Sequence, residues 1–482
     1  MNFILNPALL IAVPLLFAFV AAINKKLGKP MLIAGASLNT LLALAVVFFG
    51  ELPKEFWLGG FKPPFGITLV VDEYSALGIL LLNIIFALIV LMSFKNVGKY
   101  GPIIIVSLAA LNGMVLTGDL FNLFVFMEVA AIAAYVITAM DKGYKHTFNY
   151  LIIGSLGSGL YLLGIILLYN IFGSLNISDI AAKISASSYD PAKPLVLPIV
   201  LIFSGMAVEA KLIPFGGWVR GVLKKANPLV GAMIASAYAL AVLMALGRVM
   251  DAVFVMTDAV LIAFTVIAVA TLIFAEASAF SKKNLREVLL FSSIAQSGLA
   301  VLLFLNGLTA AAVMVIANNV VSKLVMFTIA GKLAGDLGTD EVDGLKGVFS
   351  KYVMLGIGFT AAAMSVAGLP LFFGFIAKIN ALVALFDAGN IWLPIIILTM
   401  SVVEGAYFVR ILTKLWNPGT EGELSSKDKL ESFKLDGCAK IGIVTAVIAL
   451  VIVALGTLPI AFIKDFMRTD IISVIKQLMG GM

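Results

Sequence analysis

The sequence predicts an all-α polytopic membrane protein with about 14 transmembrane helices. Only 12% of its 482 residues are charged and 62% are apolar, whereas a soluble domain carries about 25% charged residues. The mean hydropathy is +1.11, and long apolar runs recur along the chain. Each run is close to the roughly 20 residues that a helix needs to cross a bilayer. These observations exclude soluble enzyme folds.

The apolar runs place the predicted spans in order along the chain. They lie at about residues 3–23, 31–50, 75–94, 102–117, 118–140, 147–171, 195–219, 229–249, 257–279, 288–306, 308–331, 352–386, 392–412 and 441–463. The first run predicts a span rather than a cleaved signal peptide, because its basic flank, Lys25 and Lys26, follows the run instead of preceding it.

The distribution of basic residues predicts the orientation in the membrane. With the N-terminus outside, the inner loops carry 22 of the 33 Lys and Arg residues and the outer segments carry 8. An excess of basic residues marks the inner side of a membrane protein. The sequence therefore predicts a multi-pass protein of the cell membrane with both termini outside. Because the basic residues lie in short loops and not on one face, no nucleic-acid partner is expected.

The scarcity of cysteine and histidine limits the chemistry of the chain. Cys438 and His146 are the single residues of their types. Disulfides, iron–sulfur clusters and multi-histidine metal or haem sites are therefore excluded within this chain. We expect no metal and no cofactor here, apart from a transient H⁺ or Na⁺, and assign any redox chemistry to partner subunits.

Charged residues inside the apolar runs are the candidate functional groups. Three are basic and three are acidic: Lys211, Lys323, Lys378, Glu128, Glu209 and Glu404. A charge at the bilayer centre costs about 2.5–3.5 kcal/mol, and residues that bear this cost usually mark an ion pathway. The alternative is that some of them form buried ion pairs that only fix helix packing. Asp119 and Glu276 lie near span ends and are expected at the interface.

Helix-breaking residues stand next to these charges in the seventh and twelfth spans. Pro214 and Gly216 follow Lys211, and Pro370 and Gly374 precede Lys378. Proline removes a backbone hydrogen bond, and in lipid the freed groups must be satisfied inside protein or by water in a cavity. Spans four to eight and nine to thirteen each hold five helices, and the interrupted span is the fourth of each set. This match predicts two inverted five-helix repeats.

The repeats divide the chain into four predicted segments. A three-helix segment comes first, the two repeats follow, and an inner loop with the last span closes the chain: 1–100, 101–250, 251–415 and 416–482. The loop from Trp416 to Gly437 is rich in Lys, Glu and Ser, and it is expected to be a solvated connector.

The fifth span carries a recognisable motif. The stretch from Thr117 to Val129, TGDLFNLFVFMEV, closely resembles that of the D-type subunits of Mrp Na⁺/H⁺ antiporters. Those subunits are similar to the antiporter-like subunits of respiratory complex I and of membrane-bound hydrogenases. Further stretches resemble the same family in order, at 57–72, 171–177, 284–298, 318–323 and 368–378. The resemblance extends from about residue 55 to 415, with few gaps.

The resemblance implies a path for H⁺ or Na⁺ along a midplane row of charged and polar residues. Glu128, Lys323 and Lys378 match the charged positions of the family. Asn318, Asn319 and Ser322 would be supporting polar groups. Asn319 stands where the family usually has histidine, and it does not titrate.

Two departures from the family concern the N-terminal half of this row. In a gapless alignment Glu209 stands where the seventh-span lysine normally lies, and Lys211 comes two positions later. The eighth-span lysine of the family falls at Leu240 or Ala241. We expect Glu128 either to pair with Lys211 or to share a proton or cation with Glu209.

The sequence leaves three functions open. The main interpretation is an ion-translocating, antiporter-like subunit of a multisubunit membrane complex: an Mrp antiporter or a redox-driven hydrogenase, sulfur reductase or complex I-like assembly. The alternatives are a partly degenerate structural or coupling subunit and, less favoured, a stand-alone secondary transporter. Expected partners are the lipid bilayer and other membrane subunits, including small Mrp-like subunits.

Overall fold

A computed structural model describes residues 5–92, 97–140, 144–188, 190–225, 228–417 and 438–457. The expected connector lies almost wholly outside these residues, and so does the predicted outer C-terminus. The architecture of the described part is helical throughout, apart from one short β-hairpin.

The helices follow one another with short connections. They are α1 (Leu9–Ile23), α2 (Gly28–Phe49), α3 (Glu73–Leu91), α4 (Gly101–Leu116), α5 (Leu120–Met140), α6 (Tyr144–Phe172), α7 (Ile177–Ser185), α8 (Ala192–Glu209), α9 (Val219–Lys225), α10 (Pro228–Met233), α11 (Ala239–Val253), α12 (Asp258–Ser281), α13 (Leu285–Leu305), α14 (Thr309–Leu337), α15 (Val348–Lys351), α16 (Val353–Ala367), α17 (Phe373–Asp387), α18 (Trp392–Trp416) and α19 (Cys438–Gly456).

The predicted polytopic all-α fold is confirmed. Within the described residues, 12 helices are long and apolar enough to cross a membrane. The short apolar helix α1 lies in the first predicted span, and α16 and α17 lie in the twelfth, so each predicted span contains at least one helix. The periodicity of apolar residues carries little information here, because these helices are apolar on all sides.

Both predicted breaks are present. Helix α8 ends at Glu209 and helical structure resumes at Phe215, while α16 ends at Ala367 and α17 begins at Phe373. Gly368 ends α16 with φ +82°, a left-handed conformation that glycine adopts without steric cost. The symmetry relating the two sets of five helices stays a prediction, as do the four segment boundaries.

Three spans form the buried centre of the molecule. The eighth span, which includes most of α10 and all of α11, is buried from Val230 to Gly247, and most of α13 and α14 is buried as well. The α6 and α12 spans are only one-third buried, and their large apolar residues form part of the outer surface. The central helices therefore bear the groups that are farthest from lipid.

A chain of buried amides ties the first helices together. Asn39 Nδ2 of α2 donates to Asn83 Oδ1 of α3 over 2.8 Å, and Asn83 Nδ2 donates to Asn112 Oδ1 of α4 over 2.8 Å. All three side chains are fully buried. Hydrogen bonds between side-chain amides of different helices fix helix packing in a membrane, where burial of apolar surface provides no driving force.

The connection before α3 contains the β-hairpin. Strands β1 (Lys54–Trp57) and β2 (Thr68–Val71) pair antiparallel, with Lys54 opposite Val71. Asp72 then caps α3 by accepting from the Ser75 backbone N–H over 2.7 Å. The same carboxylate accepts from Arg248 of α11 over 2.9 Å, and this pair links the start of α3 to the end of the eighth span.

Candidate ion-translocation site

The carboxylate of Glu404 is the centre of a buried polar cluster. It is 1% exposed in the middle of α18. Lys378 Nζ donates to Oε2 over 2.9 Å, Gln296 Nε2 donates to the same oxygen over 3.0 Å, and Ser292 Oγ donates to Oε1 over 2.9 Å. Two neighbouring helices thus supply three donors to one anionic group, which satisfies a buried charge far better than a single ion pair would.

The broken twelfth span positions Lys378. Because α16 ends at Ala367, its last carbonyl groups lack helical partners, and Lys378 Nζ donates to Ala367 O over 3.2 Å. The same ammonium group donates to Ser401 Oγ over 3.0 Å, in addition to Glu404. All three donors of Lys378 are therefore used. A continuous helix would offer no free carbonyl at this depth.

Asn318 and Ser365 hold the two ends of the break together. Ser365 Oγ donates to Asn318 Oδ1 over 2.6 Å, and Asn318 Nδ2 donates to Ser365 O over 3.3 Å. The Gly374 N–H, at the start of α17, donates to Ser365 Oγ over 3.0 Å. A side chain at Gly374 would collide with the Ser365 carbonyl. Pro370 lies in the exposed loop of the break itself.

Lys323 extends the cluster toward the centre of the molecule. It is 0% exposed on α14, and Nζ donates to Ser292 Oγ over 2.5 Å. Ser292 in turn donates to Glu404, so one hydroxyl connects the two charged groups. Lys323 Nζ also lies 5.6 Å from the centre of the Phe408 ring. Lys323, Ser292, Glu404 and Lys378 form a continuous row, which we call the C-terminal row.

Unpaired polar groups lie beside this row. Both side-chain polar atoms of Asn319 and the hydroxyl groups of Ser322 and Ser293 are buried without a hydrogen-bond partner among the described residues. Leaving such a group unpaired costs about 1–3 kcal/mol, so native structures keep few of them. All three residues lie on α13 or α14, within about one turn of Ser292 or Lys323.

Lys211 lies just after the broken end of the seventh span. Its backbone has φ +66°, a conformation that costs a residue with a side chain about 1–2 kcal/mol. Lys211 is 2% exposed, and Nζ donates to Ile234 O over 3.3 Å. Gly216 closes this turn: its N–H donates to Leu212 O over 2.7 Å, and a side chain there would collide with the Lys211 carbonyl. Pro214 lies within the same turn.

The structure pairs Glu209 with a tyrosine instead of a lysine. Glu209 is half-buried at the last position of α8, and Tyr150 Oη donates to its Oε2 over 3.3 Å. The Tyr150 ring stacks on Trp218 with 3.6 Å between the ring centres. Trp218 and His146 line a cavity of about 170 Å³ at the predicted inner end of this half.

Glu128 does not pair with Lys211, and a proton or cation shared with Glu209 stays a prediction. Glu128 is half-buried on α5, and within the described residues it forms neither a hydrogen bond nor an ion pair with Lys211 or Glu209. The helix break explains this result: Lys211 lies beyond the end of α8 and turns its ammonium group toward the eighth span. Glu128 and Glu209 still lie within range of each other's charge, and so do Lys211 and Lys323.

The eighth span lacks the lysine that the family usually has, and it contains a π-helical turn. Residues Ile234–Tyr238 form a π-helical turn between α10 and α11, and this turn contains the carbonyl that receives Lys211. Such π-turns are rare and frequently occur at functional sites. Tyr238 Oη donates to Ala130 O over 3.0 Å and lies 2.9 Å from Ser107 Oγ. Sequence reasoning missed this turn, because no residue type marks it.

Two acidic residues are more buried in the protein than the sequence indicated. Asp119 is 8% exposed and caps α5, since its Oδ1 accepts from the Asn122 N–H over 2.7 Å. Glu276 is 1% exposed and accepts from Tyr407 Oη over 3.0 Å. The expected position of Glu276 at the membrane interface stays a prediction. Its place near the end of α12 is as predicted, but neighbouring helices cover it.

Known proteins resemble this chain in sequence and in fold. The sequence profile described as "NADH:quinone oxidoreductase/Mrp antiporter, TM" matches residues 117–403, more than half of the chain. The chain belongs to this family. The matched region contains every charged residue of the C-terminal row and of the seventh span except Glu404, which follows it by one position. The recognition made from the fifth-span motif is thus confirmed.

Relatives in this family cover nearly the whole chain. The N-type subunit of the NADH-quinone oxidoreductase of Desulforudis audaxviator is 28% identical over 93% of this chain and 95% of its own. The D-type subunit of the Na⁺/H⁺ antiporter of Bacillus subtilis is 26% identical, covering 83% and 84%. A chain of the archaeal membrane-bound sulfane sulfur reductase is 29% identical with a TM-score of 0.85, covering 98% and 97%. The protein is thus an antiporter-like membrane subunit.

Proposed function

We propose that this chain moves H⁺ or Na⁺ through the membrane as one subunit of a multisubunit complex. The observation that carries the proposal is the C-terminal row, in which Lys323, Ser292, Glu404 and Lys378 are in continuous contact inside the buried centre. A purely structural core gains more stability from apolar residues than from a buried ion pair. Retention of two lysines at this depth therefore supports a role in charge movement.

The row needs no metal and no resident cofactor for this activity. Lysine and glutamate exchange protons directly, and the hydroxyl of Ser292 both accepts and donates, so it can connect the two. The only bound species proposed for this chain is the transported H⁺ or Na⁺. Redox chemistry, where the complex performs it, belongs to other subunits.

The N-terminal half supports a different role. Lys211 is held by a backbone carbonyl, Glu209 by a tyrosine, and Glu128 has no ion-pair partner among the described residues. This arrangement lacks the continuous contact of the C-terminal row. We propose that ions cross in the C-terminal half. Lys211 and Lys323 lie within range of each other's charge, so the charge of Lys211 would influence proton binding by Lys323.

The relatives support a proposal for the host complex and the location. The structure neighbours belong to multisubunit membrane complexes, one of which is the sulfane sulfur reductase. We propose a redox-driven complex of this kind, with small Mrp-like subunits packed on the exposed apolar flanks of α6 and α12. The complex would lie in the cell membrane, with both termini of this chain outside. A stand-alone transporter is disfavoured by these neighbours.

The test is the removal of the Lys378 charge in the complete complex. Lys378→Met keeps the length of the side chain but leaves Glu404 without its ion pair. Membrane vesicles that contain the assembled variant should lose ion movement by about a hundredfold, the lower end of the effect of a positioned proton-transfer group. Dye-reported proton uptake and radioactive sodium uptake, measured side by side, identify the ion.

A matched control replaces Lys183, which is half-buried on α7 outside the row, is paired with Asp179 over 2.8 Å and donates to Phe172 O over 2.9 Å. Lys183→Met should leave transport unchanged. Normal ion movement by the assembled Lys378→Met complex would overturn the proposed function and favour a structural subunit.

A further inference from the structure

We propose that Glu276 is the terminal proton-exchange group of the C-terminal row and that Tyr407 transfers the proton between Glu276 and Glu404. The proposal rests on the proposed function, and it adds a branch that leads from the row toward the loop between α12 and α13. The Tyr407 hydroxyl stands between two buried carboxylates: Oη lies 3.0 Å from Glu276 Oε2 and 3.5 Å from Glu404 Oε1.

The geometry gives the branch a direction. Tyr407 follows Glu404 by three residues on α18, so the two side chains share one face, with Tyr407 about 4.5 Å farther along the helix. Glu276 lies five residues before the end of α12 at Ser281. Both steps lead away from the middle of the helices and toward the loop that contains Lys282 and Lys283, which the basic-residue distribution places inside.

A short distance separates Glu276 from the surface. Phe280, one helical turn beyond it on α12, is 47% exposed. The exposed guanidinium group of Arg410 donates to Phe280 O over 2.7 Å and lies 5.0 Å from its ring. Glu276 is therefore the last group of this branch before the exposed end of α12.

The surrounding charges suit a group that gains and loses a proton. Glu276 faces Glu404 and Tyr407 from α18, Lys378 from α17 and Lys323 from α14. Two carboxylates and two ammonium groups balance when all are charged. A single tyrosine hydroxyl donates one hydrogen bond at a time, so it serves either Glu276 or Glu404. In this structure the Tyr407 hydroxyl donates to Glu276, since Oη lies closer to Glu276 Oε2 than to Glu404 Oε1.

The transfer step balances without any further reactant. Once Glu276 is protonated, its O–H donates to Tyr407 Oη and the Tyr407 O–H turns to Glu404 Oε1. The O–H bond of protonated Glu276 then breaks as a new O–H bond forms on Tyr407 Oη. The original O–H bond of Tyr407 breaks as its proton passes to Glu404. One proton thus moves from Glu276 to Glu404, and Tyr407 ends as the neutral phenol with which it began.

The first experiment uses variants of the complete complex in membrane vesicles. Glu276→Gln keeps the shape and can still accept from Tyr407, but it cannot carry a proton. Transport should fall by about a hundredfold. Tyr407→Phe should lower it by at least about tenfold. Glu276→Asp restores a carboxyl group and should recover part of the rate, with a shifted pH profile, which a packing role would not produce.

Glu287→Gln is the matched control. Glu287 is also buried near the start of a neighbouring helix, but it lies against Arg220 outside the row. This variant should transport normally. Assembled Glu276→Gln with normal transport, while Lys378→Met has none, would overturn this proposal and leave the proposed function standing. Normal transport by Lys378→Met would instead overturn the proposed function.

A second measurement needs no variant. Dicyclohexylcarbodiimide, an apolar reagent, modifies carboxyl groups that become protonated inside membranes. Peptide mapping of the treated wild-type complex should find the adduct on Glu276, and its formation should parallel the loss of transport. Complete inhibition with Glu276 unmodified would overturn the proposal even if the Glu276 variants failed to assemble.

Discussion

At the scale of single residues, Lys323 tests whether the C-terminal row conducts charge. The side chain is fully buried, and its ammonium group donates to Ser292. Lys323→Met removes a charge whose burial is costly, so the protein should still fold and assemble. Ion transport should nevertheless fall by at least about tenfold, because the row loses a group that loads and releases a proton. Proton uptake by vesicles, measured across a pH series, reports both the rate and its pH dependence.

The outcome at Lys323 separates two roles. A structural lysine would affect the amount of assembled complex but not the pH dependence of the transport that remains. Unchanged transport with an unchanged pH profile would assign Lys323 to packing alone. A change in the profile, at normal assembly, would place its ammonium group in the ion path.

At the scale of elements, the break between α16 and α17 depends on Gly374. Its backbone N–H donates to Ser365 Oγ, and a Cβ at this position would collide with the Ser365 carbonyl. Gly374→Ala must therefore separate the two half-helices, at a cost of about 1–3 kcal/mol. The variant complex should lose structure at a lower temperature, and its transport should fall because Lys378 is carried by α17. Thermal melting in detergent measures the first effect.

Gly405 provides the control for the Gly374→Ala variant. Gly405 lies inside α18, next to Glu404, and a Cβ there would meet nothing within 4 Å. Gly405→Ala should raise the stability slightly, by up to about 1 kcal/mol, because alanine loses less freedom in a helix. Equal losses for both variants would show that the close approach at Gly374 is not what holds the break together.

At the scale of the whole molecule, the Asp72–Arg248 pair joins the hairpin end of α3 to the eighth span. Burial raises the pKa of Asp72. The Arg248 charge and the hydrogen bonds from Ser75 and Arg248 lower it by more in total, so the pKa of Asp72 lies below its ordinary value. The folded state therefore binds the proton less tightly than the unfolded chain. The stabilisation is present above the unfolded pKa of about 3.9 and is lost as the pH falls through the folded pKa.

Asp72→Asn removes this contribution. Asparagine still caps a helix, so α3 should remain intact. The melting temperature of the variant should be lower than that of the wild type at neutral pH, and the difference should shrink below about pH 4. Asp251→Asn, at an exposed neighbouring position on α11, should not change the melting temperature. A difference for Asp72→Asn that persists at low pH would contradict the ion pair as its source.

The orientation of the molecule is a second prediction at this scale. In a Cys438→Ser background, Lys62→Cys marks the loop after β1 and Lys283→Cys marks the loop between α12 and α13; both side chains are exposed. A membrane-impermeant maleimide applied to intact cells should label Lys62→Cys and not Lys283→Cys. In inverted vesicles the labelling should reverse. The opposite pattern would place the N-terminus inside and invert the direction of the Glu276 branch.

The sequence by itself determined the fold class and the family. Burial in lipid requires long apolar helices whose backbone bonds are satisfied locally, so composition and run length located the spans without knowledge of packing. Proline and glycine act on their own backbone, and for that reason the breaks at Pro214 and Pro370 were predictable. The charged residues within spans were visible in the same way.

Only the tertiary structure decided which of these charges meet. Contacts between helices depend on helix rotation and on the geometry of each break, which no local pattern specifies. Lys211 therefore turned away from Glu128 to Ile234 O, and Glu276 proved to be buried against Tyr407. Glu404, Lys378 and Ser292 come from three different helices, and their contact is a property of packing that the residues alone do not reveal.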